Sequence, residues 1–570
     1  MKRLIGVGVG PGDPELVTVK AVRVLREADV VLVPVLSAHE PGRAEAIVRA
    51  YVAADRIRRL EFALNDTGGV TPRRAAAWHA AAAAVAGEFT QGATTVAFGT
   101  LGDPNLYSTF SYLAQTVRDL VPGVTAETVA GITAMQDLAS RAGLSLAEGT
   151  EPVTLIPLNG APGALDRALA QGGTVVGYKV GAAASPAPGI LRDRLQAAGR
   201  LDSAVIGARL GLAGELVTPA EQVLASGQAI PYLSTLIVPA SRPRRGASLP
   251  RTPSSAESSR LNAPSNRSQP AQCSIEPAAQ SAQDRELALA GLNQVRAKHQ
   301  ESQESRAGRV VFVGAGPGAP DLLTERGARA IERADVVIWA SSLVDRRILD
   351  HARPGAEIVD SAQLPMEGVL PYYERAAQEH QIVARVHSGD PSLWGAIQEQ
   401  LEQCHALGLD TEIVPGVSSF TAVAAAIGRE LTIPEVAQSV ILTRLGGGKT
   451  PMPPGEQVRE FARHGTTMAL FLSAARSGQL QDELLEGGYP PGTPCVVAYQ
   501  VTWPDELIIE TVLADLAATI RERKLWKHTL VLIGPGLAAA GSRSHLYHPG
   551  HFHGFRRADP RARRQLRSRE

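Results

Sequence analysis

The chain has 570 residues, 44% of them hydrophobic, with 57 basic and 57 acidic residues and a formal net charge of zero. This length allows several domains, each with its own core, and the balanced charge gives no indication of a nucleic-acid or anionic-membrane partner. The cysteines Cys273, Cys404 and Cys495 are far apart and form no CxxC pair, so the sequence predicts neither a disulfide framework nor a zinc site.

The N-terminal segment MKRLIGVGVGPGD starts with basic residues, but its apolar stretch is too short and too rich in glycine for a signal peptide. No apolar run in the chain approaches the length that spans a membrane. We therefore expect a cytoplasmic protein with no membrane partner.

One sequence pattern occurs twice along the chain. The segment GVGVGPGDPELVTVKAVRVLREADVVL at 6–32 returns as FVGAGPGAPDLLTERGARAIERADVVI at 312–338. Three further blocks of the first half recur in the same order in the second half. LGDPNLYSTF aligns with SGDPSLWGAI, VAGITA aligns with VPGVSS, and STLIVPA aligns with HTLVLIG. This last alignment places Ser234 opposite His528. Repeated blocks in a conserved order predict two homologous units.

Within each unit, β-branched runs alternate with helical stretches, as in LIGVGVG, PELVTVKAVRVLREA and ADVVLVP. This alternation is typical of βαβ units and a largely parallel sheet. The sequence thus predicts an α/β fold built from two tandem units.

Composition sets the boundaries of these units. Residues 241–308 are rich in Ser, Pro, Arg and Gln and lack the apolar side chains that could offset the entropy of ordering. We predict a unit at 1–240, a disordered linker at 241–308, a second unit at 309–540 and a polar tail rich in His and Arg at 541–570. Cleavage in the linker is expected to release two folded pieces.

The Gly-rich turns GVGPGDP at 8–14 and GAGPGAP at 314–320 join a strand to a helix, where phosphate groups often bind. A dinucleotide site fits poorly, because Asp13 takes the place of the last glycine of G-x-G-x-x-G in the first copy. In addition, Pro11 and Pro317 remove a backbone donor from the loop. A nicotinamide-dependent oxidoreductase and a turn without any ligand remain as alternatives.

A second motif, GDP, stands at 102–104 and at 389–391, each time after a β-branched run. It places Asp103 and Asp390 at the carboxyl edge of a parallel sheet, where ligands of open α/β folds bind. GDP alone is a common turn. Its combination with GPG upstream and with AGITA or PGVSS downstream is specific.

This combination resembles the tetrapyrrole (corrin/porphyrin) methyltransferase family, and the resemblance covers nearly all of both units. It implies two α/β domains per unit around a cleft that holds S-adenosyl-L-methionine, with the macrocycle in an adjoining trough. The cofactor-binding positions that it implies are Pro11, Leu101, Gly102, Asp103, Leu106, Thr133 and Ala134 in the first unit, and Pro317, Ser388, Gly389, Asp390, Leu393, Ser418, Ser419 and Leu472 in the second. In the first unit the strand that matches the one with Leu472, TVVGYKV at 174–180, has Tyr178 and Lys179 where apolar residues are more typical of the family.

Longer strings refine the resemblance. The second unit, with GDPSLWGAIQEQ and LTRLGGGKTPMP, resembles precorrin-4 C(11)-methyltransferases, and the first unit, with TLGDPNLYSTFSYLAQTV, resembles precorrin-2 C(20)-methyltransferases. The resemblance implies a bifunctional C-methyltransferase of cobalamin biosynthesis. In the alternative, only the C-terminal unit is catalytic and the N-terminal unit is a binding or dimerisation scaffold.

Precorrins carry many carboxylates, so each substrate trough should present Arg or Lys. The candidates are Arg444 and Lys449 in the second unit, and Arg43, Arg73 and Arg74 in the first. No catalytic base is singled out, and no metal site is predicted, although His545, His548, His551 and His553 cluster in the tail. The expected partners are tetrapyrrole substrates, with either a homodimer or pairing of the two units within one chain.

Overall fold

The fold is described from a computed structural model of the chain. The structure describes residues 1–62, 72–160, 163–182, 184–242, 307–433, 436–447, 452–453 and 455–538. The predicted linker, with Cys273, and the predicted polar tail, with its histidines, lie almost wholly outside these ranges. Within them, every helix is too short or too polar to cross a membrane.

The first domain of the N-terminal unit is a parallel sheet covered by helices. Its strands are β1 (Arg3–Gly8), β2 (Val30–Val35), β3 (Ile57–Glu61), β4 (Thr95–Thr100) and β5 (Thr125–Val129), and its helices are α1 (Val19–Glu27), α2 (Arg43–Val48), α3 (Pro72–Thr90) and α4 (Phe110–Leu120). The strand order is β3-β2-β4-β1-β5. Since β1 lies between β4 and β5, the loops that leave the carboxyl ends of these three strands meet at one edge.

The stretch PELVTVKAVRVLREA is not one continuous helix. A single 3-10 turn, Pro14–Leu16, precedes α1, and the side chain of Thr18 accepts a hydrogen bond from Ala21 N at 3.1 Å. This cap starts the α-helix at Val19. In the second unit Thr324 caps the corresponding helix in the same way.

The second domain of the N-terminal unit contains a mixed sheet. Its elements are α5 (Ala134–Arg141), β6 (Val153–Pro157), α6 (Ala164–Ala170), β7 (Thr174–Tyr178), α7 (Pro188–Ala197), β8 (Val205–Ala208), β9 (Leu216–Pro219), α8 (Ala220–Ala225) and β10 (Ser234–Val238). Strands β6 and β7 are parallel, whereas the other pairs are antiparallel. The prediction of a largely parallel sheet therefore holds for the first domain only.

The C-terminal unit repeats this plan. Its first domain contains β11 (Arg309–Gly314), α9 (Glu325–Arg333), β12 (Val336–Trp339), β13 (Glu357–Asp360), α10 (Met366–Glu379), β14 (Ile382–His387), α11 (Ile397–Ala406) and β15 (Asp410–Val414). Its second domain contains α12 (Ser419–Ile427), β16 (Val440–Arg444), α13 (Val458–Ala462), β17 (Thr467–Phe471), α14 (Ser477–Glu486), β18 (Pro494–Tyr499), β19 (Leu507–Val512), α15 (Leu516–Glu522) and β20 (Thr529–Ile533). The predicted α/β fold of two tandem units, each with two domains, is confirmed.

Strand pairing corrects one detail of the repeat. Leu236 lies opposite Gly177 in the first unit, and Val531 lies opposite Leu470 in the second. Because Gly177 and Leu470 occupy the same place in their strands, Ser234 corresponds to Thr529 and not to His528.

The two units pack against each other within the chain. Strands β6 and β16 pair antiparallel and join both second domains into a ten-stranded sheet, β19-β18-β20-β17-β16-β6-β7-β10-β8-β9. One hydrophobic cluster takes Leu138 and Leu155 from the first unit and Phe420 and Leu442 from the second, all fully buried. Of the two arrangements that the sequence left open, the chain therefore contains the internal pairing.

The first domains also meet. Val19 N donates to Leu323 O at 2.9 Å, and Glu325 N donates to Val17 O at 3.0 Å, so the contact follows an approximate twofold axis. Arg326 forms an ion pair with Asp13 of the other unit. The described residues up to 241 and from 308 to 538 accordingly cluster as one compact body.

This shared core argues against the release of two pieces after cleavage. We expect a chain with a specific protease site inserted between residues 242 and 307 to elute, after complete cleavage, as one species at the volume of the intact chain. Separation would expose the buried edges of β6 and β16 together with the shared cluster. Size-exclusion chromatography measures this, and separate elution of the fragments in native buffer would contradict the common core.

Candidate functional site

Three loops converge at the carboxyl edge of the first sheet, as the motifs predict. The Gly-rich turn follows β1, the GDP loop follows β4, and the AGITA segment follows β5. Gly102 N donates a hydrogen bond to Gly10 O at 2.8 Å, and in the second unit Gly389 N donates to Gly316 O at the same distance. Both units therefore build the same loop arrangement from the same motifs.

The carboxylates of the GDP motifs hold these loops together. Asp103 is 1% exposed, and it accepts hydrogen bonds from Asn105 N at 2.8 Å and from Gly131 N at 3.0 Å. Asp390 is 2% exposed, and it accepts from Ser392 N at 2.9 Å and from Gly416 N at 3.1 Å. Each carboxylate thus ties its own loop to the loop after β5 or β15, across the central strand β1 or β11.

Burial dominates the electrostatics of these carboxylates. It raises the pKa of Asp103 to about 7 and that of Asp390 to about 6, although the amide hydrogen bonds act in the opposite direction. Since the oxygens already accept backbone amides, both side chains act on the site by positioning the loops around them.

Glycine is required where the loops touch. A Cβ atom at Gly131 would lie 2.3 Å from Gly102 O and 2.8 Å from Gly8 Cα. A Cβ atom at Gly416 would lie 2.2 Å from Gly389 O and 2.7 Å from Gly314 Cα. No side chain fits at either position, because the backbones themselves are in contact.

In the N-terminal unit these loops line a cavity of about 210 Å³ between the two domains. All the positions that the family resemblance implies for this unit lie on its wall. They are Pro11, Leu101, Gly102, Asp103, Leu106, Thr133 and Ala134.

The second domain and Tyr107 of the GDP loop complete the wall with residues that the family resemblance does not imply. Those of the second domain are Tyr178, Lys179, Gly207, Arg209, Leu210, Tyr232, Leu233, Ser234 and Thr235. Of these residues of the second domain, the sequence had singled out only the pair Tyr178 and Lys179, as unusual for the family. Lys179 Nζ lies 5.3 Å from the centroid of the Tyr107 ring, and the centroids of Tyr107 and Tyr178 are 5.0 Å apart.

The backbone is left-handed at matching places in both units. Tyr107 and Lys179 have φ of 51° and 60°, and their counterparts Trp394 and Leu472 have φ of 55° and 51°. Non-glycine residues hold this conformation only where the surrounding structure enforces it, as it often does at functional sites. The ring of Trp394 also packs on Phe471, as Tyr107 packs on Tyr178.

The predicted positions of the C-terminal unit surround the corresponding loops. Pro317 lies in the Gly-rich turn, where its carbonyl accepts a hydrogen bond from Trp503 Nε1 at 2.7 Å. Ser388, Gly389, Asp390 and Leu393 form the GDP loop after β14, and Ser418 and Ser419 start α12. Leu472 follows β17 in the second domain and is 67% exposed.

Each GDP loop is also held by the other unit. Tyr107 N donates to Thr432 Oγ1 at 2.7 Å, and Tyr107 Oη donates to Gln438 O at 2.7 Å. In the opposite direction, Leu146 N donates to Ser392 O at 2.8 Å. Loops of both sites therefore receive hydrogen bonds from the opposite unit.

Glu430 of the C-terminal unit lies beside the N-terminal site. It is 5% exposed, and Thr432 Oγ1 donates a hydrogen bond to Glu430 Oε1 at 3.2 Å. Burial raises the pKa of Glu430 to about 8, and the positive charge of Lys179 opposes that rise.

One predicted substrate residue has a donor with no partner in the described part of the chain. Arg444 ends β16, and its Nε is buried without a hydrogen-bond partner among the described residues. Burial and the charge of Arg476 lower the pKa of Arg444.

In the first unit, burial lowers the pKa of Arg43, and the positive charge of Arg209 on the cavity wall lowers it further. Lys449 and the side chains of Arg73 and Arg74 lie outside the described part of the chain.

Comparison with known proteins identifies the family. A model of the Tetrapyrrole (Corrin/Porphyrin) Methylases matches residues 3–223 and 309–517, which together make up most of the chain. The chain therefore belongs to the tetrapyrrole methylase family and is a methyltransferase that uses S-adenosylmethionine.

Two similar proteins are matched over most of their own length by about one unit of this chain. The cobalt-precorrin-4 C(11)-methyltransferase of Methanocaldococcus jannaschii is 43% identical over 226 residues, 40% of this chain and 87% of the relative. The precorrin-4 C(11)-methyltransferase of Mycobacterium tuberculosis is 44% identical over 239 residues, 42% of this chain and 95% of the relative. A solved cobalt-precorrin-4 methyltransferase shares 41% identity over 40% of this chain and 95% of its own, with a TM-score of 0.39.

The raised pKa of Glu430 predicts a pH effect on stability. The folded protein binds this proton more tightly than the unfolded chain, so the contribution is complete at acidic pH and is lost as the pH rises towards about 8. Glu430→Gln should therefore become more stable relative to the unsubstituted protein between pH 5 and pH 9. Urea unfolding midpoints across this range measure the difference. The exposed Glu332→Gln is the control, and a pH-independent difference for Glu430→Gln would contradict the assignment.

Proposed function

We propose that the chain is a bifunctional C-methyltransferase of cobalamin biosynthesis. The N-terminal unit would methylate precorrin-2 at carbon 20, and the C-terminal unit would methylate precorrin-4 at carbon 11. The observation that carries the proposal is that both units build the same three-loop arrangement, including the buried GDP carboxylate and the glycine contact.

The C-terminal assignment is supported by the strings GDPSLWGAIQEQ and LTRLGGGKTPMP. Relatives named precorrin-4 C(11)-methyltransferase are matched over most of their own length by about two fifths of this chain, as one unit would require. The N-terminal assignment depends on the string TLGDPNLYSTFSYLAQTV and on the cavity that its loops line.

The N-terminal cavity has features that suit the cofactor. Its wall combines apolar side chains with the hydroxyl groups of Thr133 and Tyr178. When bound, S-adenosylmethionine supplies an activated methyl group. The residues of the chain would act by orientation and by exclusion of water, which provide much of the acceleration when the methyl donor is already activated.

The macrocycle brings carboxylates that need cationic partners. We propose that Arg444 binds one of them in the C-terminal unit, because its buried Nε has no hydrogen-bond partner among the described residues. Lys449 remains a proposed partner in the same Gly-rich segment. In the N-terminal unit, Lys179 and Arg209 on the cavity wall have the required charge.

The alternative in which only the C-terminal unit is catalytic has one observation in its favour. Lys179 places a cation in a cavity that would receive a positively charged sulfonium, and like charges disfavour binding. Nearby Glu430 offsets this charge in its ionised form. Assays of both reactions distinguish the two functions.

We expect Gly131→Ala to abolish methylation of precorrin-2 at carbon 20 and to leave methylation of precorrin-4 at carbon 11 within about threefold. Gly416→Ala should do the reverse. The new Cβ would overlap the backbone of its own site only. Mass spectrometry of the products and calorimetric titration with S-adenosylhomocysteine, two sites in the unsubstituted chain and one in each variant, measure the outcome.

The matched controls are Gly87→Ala and Gly478→Ala, one in each unit, where an added Cβ meets no atom within 4 Å. Both should keep both activities. If the unsubstituted chain produces no carbon-20 product, the N-terminal unit is a scaffold. Loss of both activities in either site variant, with an intact circular dichroism spectrum, would contradict two separate sites.

Arg444→Met should raise the KM for precorrin-4 about tenfold, since a charge-assisted hydrogen bond contributes roughly 1.5–3 kcal/mol. The affinity for S-adenosylhomocysteine should not change, because the substitution does not touch the cofactor loops. Steady-state kinetics and calorimetry measure the two quantities. The exposed Arg463→Met is the control, and an unchanged KM for Arg444→Met would remove Arg444 from the substrate site.

A further inference from the structure

Gln136 lies in the first turn of α5 and is 1% exposed. Its amide oxygen Oε1 accepts hydrogen bonds from Thr133 N at 3.0 Å and from Thr133 Oγ1 at 2.9 Å. Thr133 lies on the wall of the N-terminal cavity. The oxygen end of this side chain therefore fixes one edge of the N-terminal site.

The nitrogen end of the same amide reaches the other unit. Gln136 Nε2 donates to Asp390 Oδ2 at 3.0 Å and to Gly416 O at 2.6 Å. These are the carboxylate and the glycine that hold the loops of the C-terminal site together. A single side chain thus bonds directly to the loops of both sites.

All hydrogen-bonding positions on this amide are occupied, since the oxygen accepts two bonds and the nitrogen donates two. Buried polar groups that lose a partner are strongly disfavoured, so each end is fixed by its own pair of contacts.

Among the described residues, the second unit shows no equivalent link. The counterpart of Gln136 is Thr421, whose Oγ1 donates to Ser418 O of its own unit at 2.9 Å. The buried carboxylate of the first unit, Asp103, accepts hydrogen bonds only from Asn105 and Gly131 among the contacts found in the described residues. The connection between the sites is therefore asymmetric.

We propose that Gln136 is a positioning residue shared by both cofactor sites, with its amide oxygen serving the N-terminal site and its amide nitrogen serving the C-terminal site. The inference rests on the proposed function, in which both sites bind the cofactor. It adds that the C-terminal site depends on a side chain of the N-terminal unit.

The variant Gln136→Glu separates the two roles. In its ionised form it keeps an oxygen acceptor for Thr133 but places a second oxygen against Asp390 Oδ2 and Gly416 O, where a donor is required, so the titrations are run at alkaline pH. We expect binding of S-adenosylhomocysteine at the C-terminal site to weaken about tenfold or more, and binding at the N-terminal site to stay within about twofold. A side chain with a merely structural role would change both affinities together.

Calorimetric titrations of the full chain resolve the sites in two backgrounds. Gly416→Ala leaves the N-terminal site for measurement, and Gly131→Ala leaves the C-terminal site. The background chains are titrated first. If they do not each bind one equivalent, the proposed function fails, and this outcome differs from an unchanged pattern in Gln136→Glu.

A second variant and a control complete the test. Gln136→Met removes both ends of the amide at similar volume, so both sites should weaken about tenfold. Gln400→Glu changes another buried glutamine, which bonds to Tyr373 and Arg385 away from the cofactor loops, and both affinities should be unchanged.

The proposal is overturned if Gln136→Glu weakens both sites equally, weakens the N-terminal site alone or weakens neither. If Gln136→Glu does not fold, Gln136→Met decides the question, because an unchanged affinity at either site contradicts a shared role.

Discussion

The antiparallel pairing of β6 with β16 is the interaction on which the other contacts between the units depend. Val440 lies opposite Leu155 and Leu442 opposite Val153, and the side chains of these four residues are fully buried. Without this pairing each second domain would end in an unprotected apolar edge strand. With it, the two sheets become one, and α5 comes to rest against the loop that follows β15.

The packing of α5 against the loop that follows β15 explains why the functional loops can be so compact. Asp103 and Asp390 are buried carboxylates whose ionised form is disfavoured by desolvation and supported by backbone amides. Such an arrangement is stable only where the amides are fixed in place. The opposite unit holds the loops that carry these amides, through Thr432 and Gln438 at one site and through Gln136 and Leu146 at the other.

Local motifs predicted the fold and much of the site. The repeated Gly-rich turns and GDP loops depend on residues close in sequence, and the predicted first-unit positions all line one cavity. The partners of these loops were beyond prediction, because Gln136 and Asp390 are 254 residues apart and Tyr107 and Thr432 are 325 apart. The start of α1 was misplaced since the capping role of Thr18 is visible only in its contact with Ala21.

The internal pairing has a consequence for how the sequence can change. In a homodimer each substitution appears on both sides of the symmetry axis, so a residue that suits one interface must be tolerated at its mirror position. Two halves encoded in one chain are free of that constraint. The difference between Gln136 and Thr421 is a divergence of this kind, because a glutamine can reach across at one site while its counterpart bonds to its own helix. When two units are joined in one chain, a single mutation can therefore give one of two matched positions a role that the other does not have.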